Sequence, residues 1–322
     1  MTAFSLEDIT RKLKDENIDF RTKVYLSNLK IKAYCKISDS LPESLVYYTE
    51  PDISKFSLQR CTVILPLDAK PDNDQLNYIF TEEPKVAFYA AAQLFQPRGV
   101  VEKGIHPTAV VSQNSKIADN VSIGAYTVIY DNVIIRENTV IHPHCVIYPN
   151  TVIGEGTEIE SHTIVGATGV FWTWDKHGKM WSLPQSGSVE IGKNCFIGTD
   201  VTIVRGSYSN DITRIGDFTK IAHGTKIGHS TQIGKQCHLA NNIAVGGSVK
   251  LHDKCFIGSG ATLKPGVELA EGVIVGSGAV VVKSFLNKNI VLIGNPAKEK
   301  ELSKKPSGMN EPLWMLQKKK KS

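Results

Sequence analysis

The chain lacks the sequence features of several protein classes. It has no apolar run long enough to span a membrane as a helix. Its first residues, MTAFSLEDITRKLKDEN, contain no apolar segment of the signal-peptide kind, so we expect a cytoplasmic protein. None of its six Cys residues forms a CxxC pair, which argues against zinc-ribbon and thioredoxin motifs.

The chain outside its final segment has no excess of basic residues. Residues 283–322 hold ten Lys and three Glu, with no Asp or Arg, although the whole chain has a formal charge of only +5. A body without a basic excess is not expected to bind nucleic acid. We interpret the Lys-rich end as a solvated tail, with contact to an anionic partner as the alternative.

A six-residue repeat dominates the rest of the chain. Ile or Val recurs at every sixth position from Ile105 to Val165, and an aliphatic pattern with the same period restarts at Ile191 and continues to Val281, with Ser209 as its one position that is not aliphatic. Neither a helix nor a single strand has this period. The repeat predicts a left-handed parallel β-helix, in which each hexad forms one face of a triangular prism. Four Cys residues share one register of the repeat, which indicates packing in the core (Cys145, Cys195, Cys237 and Cys255).

The sequence therefore predicts a mainly β protein of three parts. Residues 1–100 read as a small α/β domain, with a helix over 6–17 and a buried strand over 61–66. Residues 101–285 form the β-helix, with inserted loops at 166–190 and 205–213. The C-terminal extension, 286–322, is predicted to include a short helix near 310–317.

The two insertions interrupt a regular scaffold, which is where binding groups are usually carried. The first contains Trp172, Trp174 and Trp181, which either bind substrate or cover the prism. The second, RGSYSNDIT, follows Val204 and preserves the count of six.

Histidine is the candidate for acid–base chemistry. If residues 18 apart stack, Arg205, His223 and Asn241 form one outer column, while His229 lies on the next face. His223 is then placed to remove a proton from an amine or alcohol, although ordinary surface His is the alternative. Zinc is a further alternative, since γ-class carbonic anhydrases use the same prism. The His spacing of that zinc site is absent, and we expect no metal.

Four motifs in order resemble UDP-3-O-acylglucosamine N-acyltransferases, a family of left-handed β-helix enzymes. The motifs are GIHPTAVV (104–111), the Trp-rich loop (166–190), VRGSYSNDITRIG (204–216) and KIAHGTKIG (220–228). The helix-like stretch PKVAFYAAAQLF (84–95) is similar to the end of the family's nucleotide-binding domain.

The resemblance implies a homotrimer with active sites between prisms and with no bound cofactor. It implies that His223 is the general base, with Arg205 and Asn241 orienting it or contacting a sugar nucleotide. A backbone N–H near Gly246 would stabilise the oxyanion. Trp181 would bind substrate, and His229 is either a substrate contact or plain surface.

The chain departs from the family in ways that bear on substrate. The stretch YYTEPDISKF (47–56) matches a uracil-binding segment only at Tyr47 and Pro51. The segment VLIGNPAKEK (291–300) resembles the ending of coenzyme-A-dependent sugar acetyltransferases, so Lys264 and Lys283 are candidates for contacting coenzyme phosphates.

The sequence reading is therefore an N-acyltransferase that uses acyl-coenzyme A and a nucleotide-linked amino-deoxy sugar, with dTDP preferred as the nucleotide. Two alternatives remain. The first is the UDP-3-O-acylglucosamine N-acyltransferase activity with an acyl carrier protein as donor. The second is a non-catalytic prism that only binds nucleotide sugars.

Overall fold

The computed structural model describes residues 3–95 and 102–300. These fall into two compact units that divide between Gly99 and Val100. No helix among the described residues is long and apolar enough to cross a membrane.

The N-terminal unit is a five-stranded sheet with helices. Its strands, in spatial order, are Arg21–Lys23, Leu76–Thr81, Cys61–Pro66, Ser44–Tyr47 and Ala33–Tyr34, and only the first pairing is antiparallel. The α-helices are Leu6–Asp15 and Pro84–Ala92, and short 3₁₀ turns cover Ile37–Asp39 and Gln93–Phe95. The predicted strand at 61–66 is confirmed, and the first helix ends two residues earlier than predicted.

Two local signals explain these helices. Ser5 Oγ accepts a hydrogen bond from the Asp8 backbone N–H, and the Asp8 carboxylate accepts one from the Ser5 N–H at 2.8 Å. This capping box satisfies two donors that the first turn leaves free. Pro84 stands at the start of the second helix, where its missing N–H costs nothing.

The second unit is the predicted left-handed parallel β-helix. Its face 1 consists of Gly104–Ile105, Ser122–Ile123, Val140–Ile141, Glu158–Ile159, Phe196–Ile197, Lys220–Ile221, His238–Leu239, Phe256–Ile257, Ile274–Val275, Val291–Ile293 and Lys298–Lys300. Face 2 consists of Val110–Val111, Val128–Ile129, Val146–Ile147, Ile164–Ala167, Thr202–Val204, Lys226–Ile227, Ala244–Val245, Thr262–Leu263 and Val280–Val281. Face 3 consists of Lys116–Ile117, Ile134–Ile135, Thr151–Ile153, Ser188–Ile191, Ile212–Ile215, Gln232–Ile233, Lys250–Leu251 and Glu268–Leu269.

The core of the prism is built by the aliphatic residues that recur every six positions, called grid residues below, and by a second set of small buried side chains. From Ile123 onward the grid aliphatics are almost fully buried in one continuous cluster. Thr157 shows what the second set does: its Oγ1 donates to the Gly192 carbonyl at 2.8 Å and accepts from the Cys195 N–H at 3.1 Å. Such bonds pair backbone groups that the corners would otherwise leave unsatisfied. The four Cys of the β-helix lie in this buried layer, as predicted, and burial raises the pKa of the Cys145 thiol to about 11.

The corners of the prism require left-handed backbone. Asn242 has φ of 57° and Gly224 has φ of 73°, at equivalent corners of successive coils. Asn and Gly adopt this conformation at low cost, which explains their frequency at the corners.

Two details of the β-helix differ from the sequence prediction. The strand Val291–Ile293 pairs with Ile274–Val275, so the sheet of face 1 continues beyond the predicted end at residue 285. The first insertion contains a two-stranded hairpin, Trp172–Trp174 with Met180–Ser182. The helix predicted near 310–317 lies outside the described residues.

The second insertion changes the register of the prism. Ile203 pairs with Ile227, which lies 24 residues further on, whereas Ile227 pairs with Val245 after only 18. The hexad marked by Ser209 therefore does not form a face but bulges out of the corner between faces 2 and 3. The assumption that residues 18 apart stack is wrong across this loop.

Candidate active site

The corrected register separates the two central histidines and gives each a new neighbour. His223 follows the face 1 strand Lys220–Ile221 and lies at the corner between faces 1 and 2. His229 follows the face 2 strand Lys226–Ile227 and lies at the corner between faces 2 and 3, where the second insertion emerges. Arg205 therefore does not stack on His223, contrary to the sequence prediction.

His223 is exposed and its ring orientation is fixed by Thr199. The Nδ1 atom of His223 accepts from the backbone N–H of Thr199 at 2.9 Å, and the Thr199 hydroxyl lies at the same distance. Because a backbone N–H can only donate, Nδ1 must carry the lone pair and the ring proton must reside on Nε2. The outward nitrogen of neutral His223 is therefore a donor, which is the wrong form for a general base. Asn241 accepts from the His223 backbone N–H at 3.2 Å, so it positions the backbone rather than the ring.

Arg205 is buried beneath the first insertion. Its Nε donates to the Gly166 carbonyl at 2.8 Å, and an Nη donates to the Pro149 carbonyl at 3.4 Å. The side chain is only 8% exposed, and burial lowers the pKa of its guanidinium. Arg205 thus ties the loop to the prism, and the structure does not place it as a contact for the sugar nucleotide.

His229 is half-buried and contacts one residue of each insertion. Its Nδ1 lies 3.0 Å from the hydroxyl of Ser207, in the second insertion. The ring of Phe171, in the first insertion, meets the imidazole edge-on at 4.8 Å between centroids. Burial lowers the pKa of His229, and the nearby Asp211 carboxylate partly opposes this effect. The imidazole is therefore neutral at pH 7, as a general base requires.

The second insertion is closed by its own hydrogen bonds, which hold Ser207 in place. The Ser207 N–H donates to Ser230 Oγ at 3.3 Å, and Ser230 Oγ donates to Asp211 Oδ2 at 3.0 Å. The Tyr208 N–H also donates to Asp211, at 3.3 Å. Ser207 is only 3% exposed, so its hydroxyl has little freedom to turn away from His229.

Gly247 lies directly against the imidazole of His229, one coil further on. A Cβ on Gly247 would lie 2.5 Å from Cε1 and 2.7 Å from Cδ2 of that ring, and closer still to Nε2. Among the described residues no acceptor is found for the Gly247 N–H. Two other coils carry Pro149 and Pro265 at this corner position, which shows that the ladder does not use its N–H.

The predicted oxyanion donor at Gly246 is not available. The Gly246 N–H donates to the Leu263 carbonyl at 2.9 Å as part of the face 2 ladder. The next residue, Gly247, offers the free N–H instead, and it lies beside the His229 ring.

Lys283 lies in the same corner column as His229, and Lys264 lies one residue before that column, at the position that Gly246 holds in its own coil. The strands that precede them, Thr262–Leu263 and Val280–Val281, continue face 2 in the two coils after Ala244–Val245. Both lysines are exposed. With a coil spacing of about 4.8 Å, the column extends from His229 over roughly 15 Å to Lys283.

Two further predicted substrate contacts are Trp181 and Tyr47. Trp181 is 53% exposed on the hairpin, where its Nε1 donates to Asp175 at 3.1 Å and Lys179 lies over its ring. Tyr47 lies in the N-terminal unit, half-buried, with its ring 4.7 Å from that of Phe88.

One group of potential metal ligands is found in the described part of the chain. It consists of His142, Glu158 and Glu160, away from both candidate histidines. The two carboxylates face opposite nitrogens of the ring, with Glu158 at 2.9 Å from Nε2 and Glu160 at 3.9 Å from Nδ1. This arrangement suits an imidazolium between two carboxylates, and it raises the pKa of His142.

Sequence reasoning missed Ser207, Gly247 and Phe171. The one available signal was Ser209, the single polar residue among the six-residue repeat positions from Ile191 to Val281. A polar residue at a core position indicates that the hexad has left the core, and the register then shifts by six. With that shift, His229 and not His223 becomes the neighbour of both insertions.

Comparison with known proteins agrees with the repeat. A family model described as bacterial transferase hexapeptide (six repeats) matches residues 132–167 and 248–283. A second model, hexapeptide repeat of succinyl-transferase, matches residues 188–206.

Curated relatives are named UDP-3-O-acylglucosamine N-acyltransferase. The protein of Coxiella burnetii (strain RSA 493 / Nine Mile phase I) is 32% identical over 202 residues, which is 57% of this chain and 59% of the relative. The protein of Pseudomonas syringae pv. tomato is 27% identical over 102 residues, which is 31% of this chain and 28% of the relative. The chain therefore spans less than two thirds of the length of these relatives.

Solved structures with the same fold include two acyltransferases of known substrate. The UDP-N-acetylglucosamine acyltransferase of Francisella novicida has a TM-score of 0.57 at 27% identity, over 66% of this chain and 73% of that chain. The UDP-N-acetylglucosamine O-acyltransferase of Moraxella catarrhalis has a TM-score of 0.55 at 28% identity, over 61% and 73%. The chain is thus a hexapeptide-repeat protein with a left-handed β-helix, and it is similar in sequence and in fold to acyltransferases of nucleotide-linked glucosamine.

Proposed function

We propose that the chain is an acyltransferase that moves an acyl group from a thioester to the amine of a nucleotide-linked amino sugar. The observation that carries this proposal is the corner at which neutral His229 lies against the free N–H of Gly247. Acyl transfer needs a base for the incoming nucleophile and a donor for the carbonyl oxygen, and these groups are the two that the corner provides.

The proposed reaction uses each group once. The sugar amine attacks the thioester carbonyl while His229 Nε2 takes its proton. The carbonyl oxygen becomes an oxyanion, to which the Gly247 N–H donates. Collapse of this intermediate breaks the carbon–sulfur bond, and the imidazolium returns the proton to the thiolate. The products are an amide and a free thiol.

This proposal moves the base from His223 to His229. The environment that favoured His223 belongs to His229 in the structure, since both insertions and the free N–H lie at its corner. In addition, the hydrogen bond from the Thr199 N–H keeps the outward nitrogen of His223 protonated.

The acceptor is proposed from the relatives. Their names specify a UDP-linked glucosamine, which favours UDP over the dTDP that the sequence favours. The weak match of the stretch 47–56 to a uracil-binding segment is the observation that keeps dTDP-linked amino sugars as the second candidate.

The donor is proposed to lie along the corner column. A thioester placed at His229 and Gly247 would extend its arm past Lys264, with its phosphate groups near Lys283. Acyl-coenzyme A and an acyl carrier protein both carry a phosphopantetheine arm, so the shared chemistry is a thioester with an anionic end. The segment 291–300 favours coenzyme A. We further propose that a homotrimer supplies the second wall of the site.

A direct assay tests the proposal. Purified full-length protein is incubated with UDP- and dTDP-linked amino sugars and with acyl-coenzyme A or acyl carrier protein, and amide formation is measured by mass spectrometry. Transfer to one acceptor class is the expected result. Nucleotide-sugar binding without transfer from either donor would contradict the proposal and support the non-catalytic alternative.

A further inference from the structure

The hydroxyl of Ser207 is the only side-chain hydrogen-bond partner of His229 among the described residues. It lies 3.0 Å from Nδ1, the ring nitrogen that faces away from Gly247. What this hydroxyl does to the ring decides whether His229 can act as a base, because neutral imidazole carries its proton on one nitrogen and its lone pair on the other.

We propose that Ser207 is a positioning residue that accepts a hydrogen bond from Nδ1–H of His229 and so keeps the lone pair on Nε2. The inference rests on the proposed function and names a group that acts on the base without touching substrate.

The neighbourhood of Nε2 supports this proton arrangement. Nε2 lies closest to the place where a Gly247 Cβ would be, and no hydrogen-bond acceptor for an Nε2 proton is found in the described part of the chain. A proton on Nε2 would thus be left without a partner, on the side where the free Gly247 N–H also lies. With the lone pair on Nε2, no Nε2 proton is left without an acceptor and no Nε2 proton lies beside the Gly247 N–H.

The loop supports the same arrangement from the other side. The Ser207 hydroxyl is buried, and its backbone N–H is fixed by Ser230, which is itself fixed by Asp211. The carboxylate of Asp211 is the charged group that acts on His229, and it favours a proton on the ring rather than a lone pair facing the loop.

His223 provides an internal contrast. Both histidines have a hydroxyl residue near Nδ1, but only Thr199 also presents a backbone N–H to that nitrogen. The two rings are therefore expected to hold their protons on opposite nitrogens. Thr199→Ala is the matched control for Ser207→Ala, because each removes one hydroxyl from the Nδ1 of one histidine.

The first test does not depend on activity. The ¹⁵N chemical shifts of the ring nitrogens are measured by NMR in full-length protein at pH 8. We expect the proton of His229 on Nδ1 and that of His223 on Nε2. In Ser207→Ala, the two nitrogens of His229 are expected to move towards a mixture, while those of His223 stay unchanged. A wild-type His229 that carries its proton on Nε2 would overturn the inference.

The second test uses the rate. Ser207→Ala is expected to lower kcat by about tenfold or more with little change in KM, because part of the His229 population holds the wrong proton. The acid limb of the pH profile should also move to lower pH, since the imidazolium loses an acceptor for Nδ1–H. A purely structural role for Ser207 would lower stability without moving that limb. Thr199→Ala should leave both the rate and the limb unchanged.

The outcomes separate the two claims. If wild-type protein transfers no acyl group, the proposed function fails while the NMR measurement still decides the proton arrangement. If the wild type is active and Ser207→Ala keeps its rate and pH profile, only the positioning inference fails.

Discussion

Gly247→Ala is the substitution that most sharply separates activity from folding. The new Cβ would lie 2.5 Å from Cε1 and 2.7 Å from Cδ2 of His229, against ordinary contacts of 3.4–4 Å. The ring must therefore move by about 1 Å, and a misplacement of that size costs roughly 100-fold in rate. The backbone itself tolerates the change, because Gly247 is not among the positive-φ glycines and the same corner position of two earlier coils carries Gln113 and Asp131.

The assay for this prediction compares turnover with thermal stability. Gly247→Ala is expected to lose about 100-fold in kcat while its melting temperature falls by only a few degrees, consistent with a strain of about 1 kcal/mol. Gly276→Ala is the control, since the nearest atoms to its Cβ would be Ile293 Cγ2 at 3.2 Å and the Leu292 carbonyl oxygen at 3.4 Å. A folded Gly247→Ala protein with wild-type turnover, or an equal loss in the control, would refute the reasoning.

Two further predictions concern stability. Arg205→Met should lower the free energy of unfolding by about 1–3 kcal/mol, measured by urea denaturation, because it removes the donor to the buried Gly166 carbonyl and to the half-buried Pro149 carbonyl; a rise in KM at unchanged stability would instead restore Arg205 as a substrate contact. The pKa of His142 is raised chiefly by its hydrogen bond to Glu158, so its stabilising contribution should be complete below its unfolded pKa of about 6.5 and should be lost as pH rises through the higher folded value. The pKa of Glu158 is lowered chiefly by the same bond, so the stabilising contribution of Glu158 should be lost as pH falls. His142→Gln should therefore flatten both the acid and the alkaline limb of the curve of urea midpoint against pH between pH 4 and 8. Limbs that persist in His142→Gln would show that other groups cause them.

The sequence predicted the scaffold well because one physical rule controls it. Each aliphatic grid residue, such as Ile123 or Ile227, must enter the narrow core, and this requirement fixes the three faces and their parallel pairing. The small α/β domain was likewise indicated by a capping residue at Ser5 and by the buried strand Cys61–Pro66.

The site was harder to predict because it depends on register. A loop of one hexad preserves the six-residue count. Counting alone therefore cannot distinguish a hexad that forms a face of the prism from one that bulges out of it. Because of that ambiguity, the sequence prediction placed the insertions beside His223, whereas in the structure they lie beside His229. The structure resolves it through one pairing, Ile203 with Ile227.

The positions of the histidine ring protons also could not be predicted from the sequence. Whether Nε2 of a histidine accepts or donates depends on what faces Nδ1. For His223 that group is a backbone N–H, whose direction follows from the corner geometry and not from the identity of Thr199. The same holds for the free N–H of Gly247, which is distinguished from that of Gly246 only by the pattern of the ladder.

Whether His229 is the base is decided by the turnover of His229→Ala beside that of His223→Ala, in the same acyl-transfer assay at pH 7.5. We expect His229→Ala to lose at least about 100-fold in kcat and His223→Ala to stay within a few fold of the wild type. A loss in His223→Ala with normal turnover in His229→Ala would instead make His223 the base.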